Sequence, residues 1–185
     1  GRTRDLIQNE GWVSGYADSQ TSMVVGRAFR FSAKPRTMAK RLGISPEEAQ
    51  VLADQIETVF SSWAYDPLFR ADAEQELNFG GLINLLAREQ VTVGEGVGIL
   101  RWGVGNDPLW PYRTSVQVID PDRLSNPNHM PDNQQIRGGV EKDAAGLRSE
   151  FYHIREAHPN DFGAWGKQMR WEKVPVRTEW GRPVI

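Results

Sequence analysis

The sequence is 185 residues long, carries 22 Lys and Arg against 24 Asp and Glu for a net charge of −2, and contains no Cys. The length holds one ordinary domain or two small ones around a sizeable core, and the lack of cysteine excludes a disulfide scaffold, a zinc ribbon, an iron–sulfur site and a thiol nucleophile. Seven Trp separate the chain from low-complexity disorder, no apolar run approaches the roughly 20 residues of a membrane helix or the apolar part of a signal peptide, and the near-neutral balance argues against a wholly basic nucleic-acid coat.

In chain order, the spacing of Leu6, Val13, Ala17, Gln20 and Val24 predicts a helix from about Arg4 to Val25, stopped at Gly26. Gly11 and Gly15 weaken it by roughly 1 kcal/mol each relative to Ala, so packing must hold it. Alternating polarity from Ala28 to Ala33 predicts a short strand before Pro35. Ser45, Pro46 and Glu48 form a helix start with Ser at the cap, Pro at the first helical position and Glu at the third. Ala49, Leu52, Ala53, Ile56, Val59, Phe60 and Trp63 then recur at steps of three and four, and the interior is expected to hold Leu52, Ile56 and Phe60. A third helix runs from the Asn78 cap through Leu82, Leu85, Leu86 and Glu89. Beyond Gln90 the texture becomes strand-like: Val91–Val93, Val97–Leu100, Ser115–Ile119, a hairpin of Val140–Lys142 and Glu150–Ile154 around Asp143–Gly146, and Met169–Val176. The expected class is α+β, a helical part over residues 1–90 followed by a mostly antiparallel β-rich part over 91–185, together one compact unit. The chain opens without Met and stops at Pro183-Val184-Ile185, which reads as the start of a strand and as a piece of a longer polypeptide.

Charge is unevenly spread. Arg27, Arg30, Lys34, Arg36, Lys40 and Arg41 form a stretch without acids, and residues 42–76 follow with eight acids against Arg70 alone. These stretches suit contact between neighbouring copies, phosphate contact by the basic side, or two solvated faces of one domain. If the basic stretch holds DNA or RNA, Phe29 and Phe31 are its candidate stacking platforms.

Catalytic patterns fail on spacing. Gly94, Gly96 and Gly98 lead into a strand-like run instead of a helix start, so they read as glycines in a crowded sheet, not a phosphate loop. His153 and His158 are five apart and cannot share one metal without a turn between them, so His153 reads as a strand residue with a backbone partner and His158 as a turn residue before Pro159. Asp120-Pro121-Asp122 with Ser125, Asn126 and Asn128 is oxygen-rich but lacks the glycine and distant Glu of a calcium loop, and Asx turns explain it. The enzyme alternative is a metal-dependent nuclease or hydrolase using Asp120, Asp122 and His129. Gly11-Trp12-Val13-Ser14-Gly15 misses a nucleophile elbow by one residue. No catalytic residue, metal ligand or cofactor is expected.

Several strings in order resemble the lambda-type family of tailed-bacteriophage portal proteins. They are Arg4-Asp5-Leu6 with Gly11-Trp12, Val24-Val25-Gly26, Phe31-Ser32-Ala33-Lys34-Pro35, Val118-Ile119-Asp120-Pro121-Asp122-Arg123-Leu124-Ser125-Asn126-Pro127, Gly138-Gly139-Val140-Glu141 with Asp143, Tyr152-His153-Ile154, Ala157-His158-Pro159, and Arg177-Thr178 with Trp180-Gly181-Arg182-Pro183. The resemblance implies a structural, non-enzymatic subunit of a homo-oligomeric ring, typically dodecameric, at one capsid vertex of the virion. Double-stranded DNA passes through such a ring, a packaging terminase docks below and a tail connector attaches later. It further implies assembly in the host cytoplasm, no membrane partner, and a wing-region position for the matched strings, with stem, clip and channel-lining segments later in the chain.

Overall fold

The structure is a computed structural model that describes the chain except residues 1, 27–28, 104–109, 165 and 180, together with the side chains of the described residues except 2–4, 8 and 162. Its helices are α1 (Arg2–Asn9), α2 (Gly11–Val25), α3 (Pro35–Leu42), α4 (Pro46–Ala64) and α5 (Phe79–Thr92). Its strands are β1 (Val97–Trp102), β2 (Thr114–Ile119), β3 (Ile136–Arg137), β4 (Val140–Lys142), β5 (Ser149–Arg155) and β6 (Trp171–Pro175). The class is α+β, with helices first and antiparallel sheets after them.

The capping chemistry at Ser45 forms as the residues dictate: Ser45 Oγ accepts the Glu48 N–H at 3.2 Å, and the Glu48 carboxylate accepts the Ser45 N–H at 3.0 Å. Asn78 Oδ1 likewise accepts the Gly81 N–H at 2.9 Å and starts α5. The continuous helix expected over 4–25 is instead broken at Glu10, whose backbone is extended. The Asn9 amide turns back on Asp5, donating to its carbonyl at 3.0 Å and its carboxylate at 2.8 Å, and Gly11 adds little helix propensity, so α1 ends there. Of the predicted stripe only Ala17 is buried; Thr21 joins it against α5, while Leu6 and Val24 are exposed.

Three other expectations need correction. The described part of the 28–33 strand has no ladder partner, and Phe29 and Phe31 instead pack their rings against the helices; Ala28 lies outside the described residues. Helix α3 was not anticipated: its N-cap Lys34 sits at φ 48° without a side-chain cap, and its signals are Pro35 at the first turn, Lys40 and Arg41 in the last, and Gly43 at φ 67° just beyond. Val91–Val93 ends α5 instead of forming a strand, because an established helix adds a hydrogen bond per residue whereas a lone β-branched triplet has no ladder to join.

β1 and β2 pair from Val97↔Ile119 to Trp102↔Thr114, and β3-β4-β5-β6 form a second antiparallel sheet. Alternation turns Ile99 and Ile119 toward Ile154 and Val174 of the second sheet, and these four form the buried core. The opposite face of β1 meets α5, where the Leu86 side chain lies over Gly98 and a Cβ on Gly96 would stand 3.1 Å from the Leu86 carbonyl oxygen. The glycines therefore serve close helix–sheet approach. The last residues join the two sheets: Leu100 N–H donates to Val184 O at 2.7 Å and Val184 N–H to Val176 O at 2.9 Å.

The apolar face of α4 does not become the interior. Ala49, Ala53 and Ala64 are buried, whereas Leu52 and Phe60 are half-buried and Ile56 is exposed. The larger side chains line an open groove of about 680 Å³ between α4 and the Trp102 end of the first sheet.

Candidate functional site

The basic stretch forms a surface along α3 and the segment before it. Arg30, Lys34, Arg36, Lys40 and Arg41 are exposed, and Arg27 lies outside the described residues. Among the described residues these five make no ion pair, although α3 packs on acid-bearing α4. Four of the eight acids expected to complement them have local work. Glu48 caps α4, Glu57 accepts the Ala33 N–H at 3.0 Å, buried Asp66 binds Arg70, and buried Asp72 accepts the N–H groups of Glu74, Glu76 and Leu77. The candidate stacking platforms differ: Phe29 is half-buried and meets Phe60 and Phe79 at 6.2 and 5.4 Å between centroids, whereas Phe31 meets Phe60 at 4.8 Å but stays 42% exposed. What this surface offers a partner is positive charge beside one exposed aromatic ring, Phe31.

The Val118–Pro127 string turns out to be a hydrogen-bonded hub. Asp120 Oδ1 accepts the Asp122 N–H at 2.9 Å, the expected Asx turn. Arg123 donates to the carbonyls of Arg155 at 2.8 Å and Glu156 at 3.0 Å. Ser125 Oγ accepts from Arg155 Nε at 2.8 Å and Trp171 Nε1 at 3.1 Å. Asn126 accepts the Gly139 N–H at 2.7 Å and donates to Met130 O and the Asp132 carboxylate at 3.0 and 2.9 Å. The Gly138 N–H and then the Asn126 amide hold the Asp132 carboxyl below the usual carboxylate range. These residues tie the long loop to the edge of the second sheet.

His129 does not join Asp120 and Asp122. It lies edge-on to Trp171 at 5.8 Å, with Nδ1 3.2 Å from Arg155 Nη2 and Nε2 3.4 Å from the Met169 sulfur. His158 takes its place, with Nε2 3.6 Å from Asp120 Oδ2 and 3.7 Å from Asp122 Oδ2. Among the described residues this is the group with metal-ligand composition. The ring's other nitrogen, Nδ1, accepts the Asn160 N–H at 3.1 Å, which suits a neutral ring with its proton on Nε2, facing the carboxylates. A metal at Nε2 requires the opposite tautomer, with Nδ1 as the donor.

His153, expected to use a backbone partner for its ring, instead places Nε2 2.7 Å from the Glu141 carboxylate on the neighbouring strand. Lys173 from the third strand donates to the same carboxylate at 2.9 Å, and Lys173 followed by His153 lowers the Glu141 pKa. The triad is a cross-strand ladder whose carboxylate is already filled on both oxygens. It was not found in the sequence because its members share a face only through strand register.

A family profile described as "Phage portal protein, lambda family" matches residues 1–182. The "Portal protein" of Escherichia phage N15 is 27% identical over 186 residues, covering 98% of this chain and 33% of that protein. "Portal protein B" of Escherichia phage lambda is 28% identical over 185 residues, covering 98% of this chain and 32% of that protein. The chain therefore spans about a third of the length of these curated relatives.

Proposed function

The chain belongs to the lambda family of phage portal proteins, and we propose that it is the wing portion of a structural subunit in a ring-shaped portal complex through which double-stranded DNA is packaged and ejected. The observation that carries this reading is the family match across almost the whole chain. The Asp120–Pro127 string supports it, because the Asp120, Arg123, Ser125 and Asn126 side chains act in holding the fold. The ring, typically dodecameric, sits at the capsid vertex of the virion with capsid protein, terminase and tail connector as its partners, and assembles in the host cytoplasm. None of the helices among the described residues is long and apolar enough to cross a membrane.

In this reading Arg30, Lys34, Arg36, Lys40 and Arg41, with Arg27 beside them in sequence, form a contact surface for an anionic partner, either a neighbouring subunit or the DNA backbone. Among the described residues the first five make no ion pair, and that is the supporting observation. The test is light scattering coupled to size exclusion on the complete protein, and duplex-DNA binding by the complete protein with Lys34, Arg36, Lys40 and Arg41 changed to Gln. A large closed assembly is expected for the parent. Loss of assembly in the variant assigns the surface to a subunit contact, whereas an intact ring with a shallower salt dependence of DNA binding assigns it to phosphate. A complete protein that stays monomeric under assembly conditions overturns the ring.

A further inference from the structure

We propose that the face of α2 carrying Trp12, Tyr16 and Met23 docks head-to-tail into the groove along α4 of a second copy of this chain. The inference rests on the ring reading above and names the surfaces that would make the contact.

Helix α2 is apolar on two sides. Ala17 and Thr21 face α5 and are buried. Trp12, Tyr16 and Met23 lie within roughly 40° of one another at 100° per residue, on the other side. They are 89%, 64% and 75% exposed. Single exposed apolar residues are ordinary, but an aromatic ridge of this kind marks a contact surface.

The groove is its concave counterpart, about 680 Å³ in volume, with Leu52, Ile56, Val59 and Trp63 on one wall and Trp102 on the other. Helix-in-groove recognition uses anchors at this spacing on one helix face. The ridge carries no charge of its own, since Asp18 lies on another side of α2, 3.4 Å from Arg88, so the match with the groove is one of apolar shape.

Area also suffices. Aromatic side chains bury about 150–250 Å² each, so Trp12, Tyr16 and Trp102 supply a large part of the roughly 1,000 Å² a specific interface needs. Because ridge and groove are different patches of one chain, each copy donates one and receives the other, the geometry that propagates around a ring.

The test uses the complete protein, with any cysteine outside these 185 residues replaced by Ser, since the sequence here has none. Ser19 lies on the ridge between Tyr16 and Met23, Gln55 lines the groove, and both are exposed, so Ser19→Cys and Gln55→Cys leave the fold intact. Mild oxidation of an equal mixture is expected to give a disulfide-linked dimer that neither variant gives alone. Trp12→Ala should weaken assembly at least tenfold, as a central aromatic anchor does. A ring that assembles without the mixed cross-link overturns the pairing while leaving the ring reading standing, and shows the groove filled by another part of the polypeptide. Self-linking of Ser19→Cys alone overturns it in favour of a symmetric contact. A monomeric complete protein overturns both.

Discussion

Asp66 and Gly139 show how much a single position carries. Asp66 is 4% exposed, and Arg70 binds both its oxygens, Nε to Oδ2 and Nη2 to Oδ1, each at 2.8 Å. Arg70 in turn stacks on Trp110 at 4.0 Å. The guanidinium outweighs burial and brings the Asp66 pKa down to about 2. A folded pKa below the unfolded value stabilises the protein above about pH 4, and that contribution is lost as pH falls through 2. Asp66→Asn is expected to lower stability by about 2 kcal/mol at pH 6, with the two proteins converging near pH 2 in urea denaturation. A gap that is equal at both pH values would show that charge is not the cause. Gly139 has φ 81°, and a Cβ there would lie 2.6 Å from the Ser125 backbone nitrogen. Gly138 has φ 55° with open space around it. Gly138→Ala should cost about 1 kcal/mol, the left-handed penalty alone, whereas Gly139→Ala should cost well above about 2 kcal/mol because backbone must also move. Thermal melting of the pair checks the contrast.

At the scale of the element, α4 and α5 separate local from tertiary stabilisation. Ser45→Ala removes the acceptor of the Glu48 N–H and should cost about 1 kcal/mol. Leu82, 2% exposed on α5, is a true interior residue, and Leu82→Ala should cost about 2–5 kcal/mol. Leu52 has the same periodicity on α4 but lines the groove, so Leu52→Ala should cost less than half as much. Equal losses for the two leucines would show that the groove is closed in solution. The α4 pattern was legible and its start was read correctly. What periodicity left undecided was whether the apolar face meets this chain or another surface, because hydrophobic spacing records that a face needs cover and not what covers it.

At the scale of the whole molecule, helices and sheets are joined at several separate points. Trp63 Nε1 donates to Thr114 O at 2.8 Å, Val116 bonds through both its N–H and C=O to residues 71 and 73, and Gln117 Nε2 donates to the Glu74 carboxylate at 3.0 Å. The bidentate Arg101–Glu172 pair crosses from the first sheet to the second. We propose on this basis that residues 1–90 and 91–185 behave as one cooperative unit. Helical circular dichroism and tryptophan fluorescence should then lose their native signals at the same denaturant concentration. Transitions that separate would mean that the helical part unfolds independently.

Sequence alone determined what depends on near neighbours: the Ser45 and Asn78 caps, the α4 period, the change from helix to strand texture near residue 90, the Asx turn at Asp120 and the ordered strings of the portal family. Each rests on side chains within a few positions of the backbone they act on. Tertiary structure decided the rest. It turned Phe29 and Phe31 from a strand into ring packing, replaced His129 by His158 beside Asp120, and assembled Glu141, His153 and Lys173 from three strands. Those outcomes depend on which distant segments become adjacent, and strand register alone moves a side chain from one face to the other. The same dependence explains why the exposed ridge on α2 and the groove along α4 came into view as a pair only once the chain was folded.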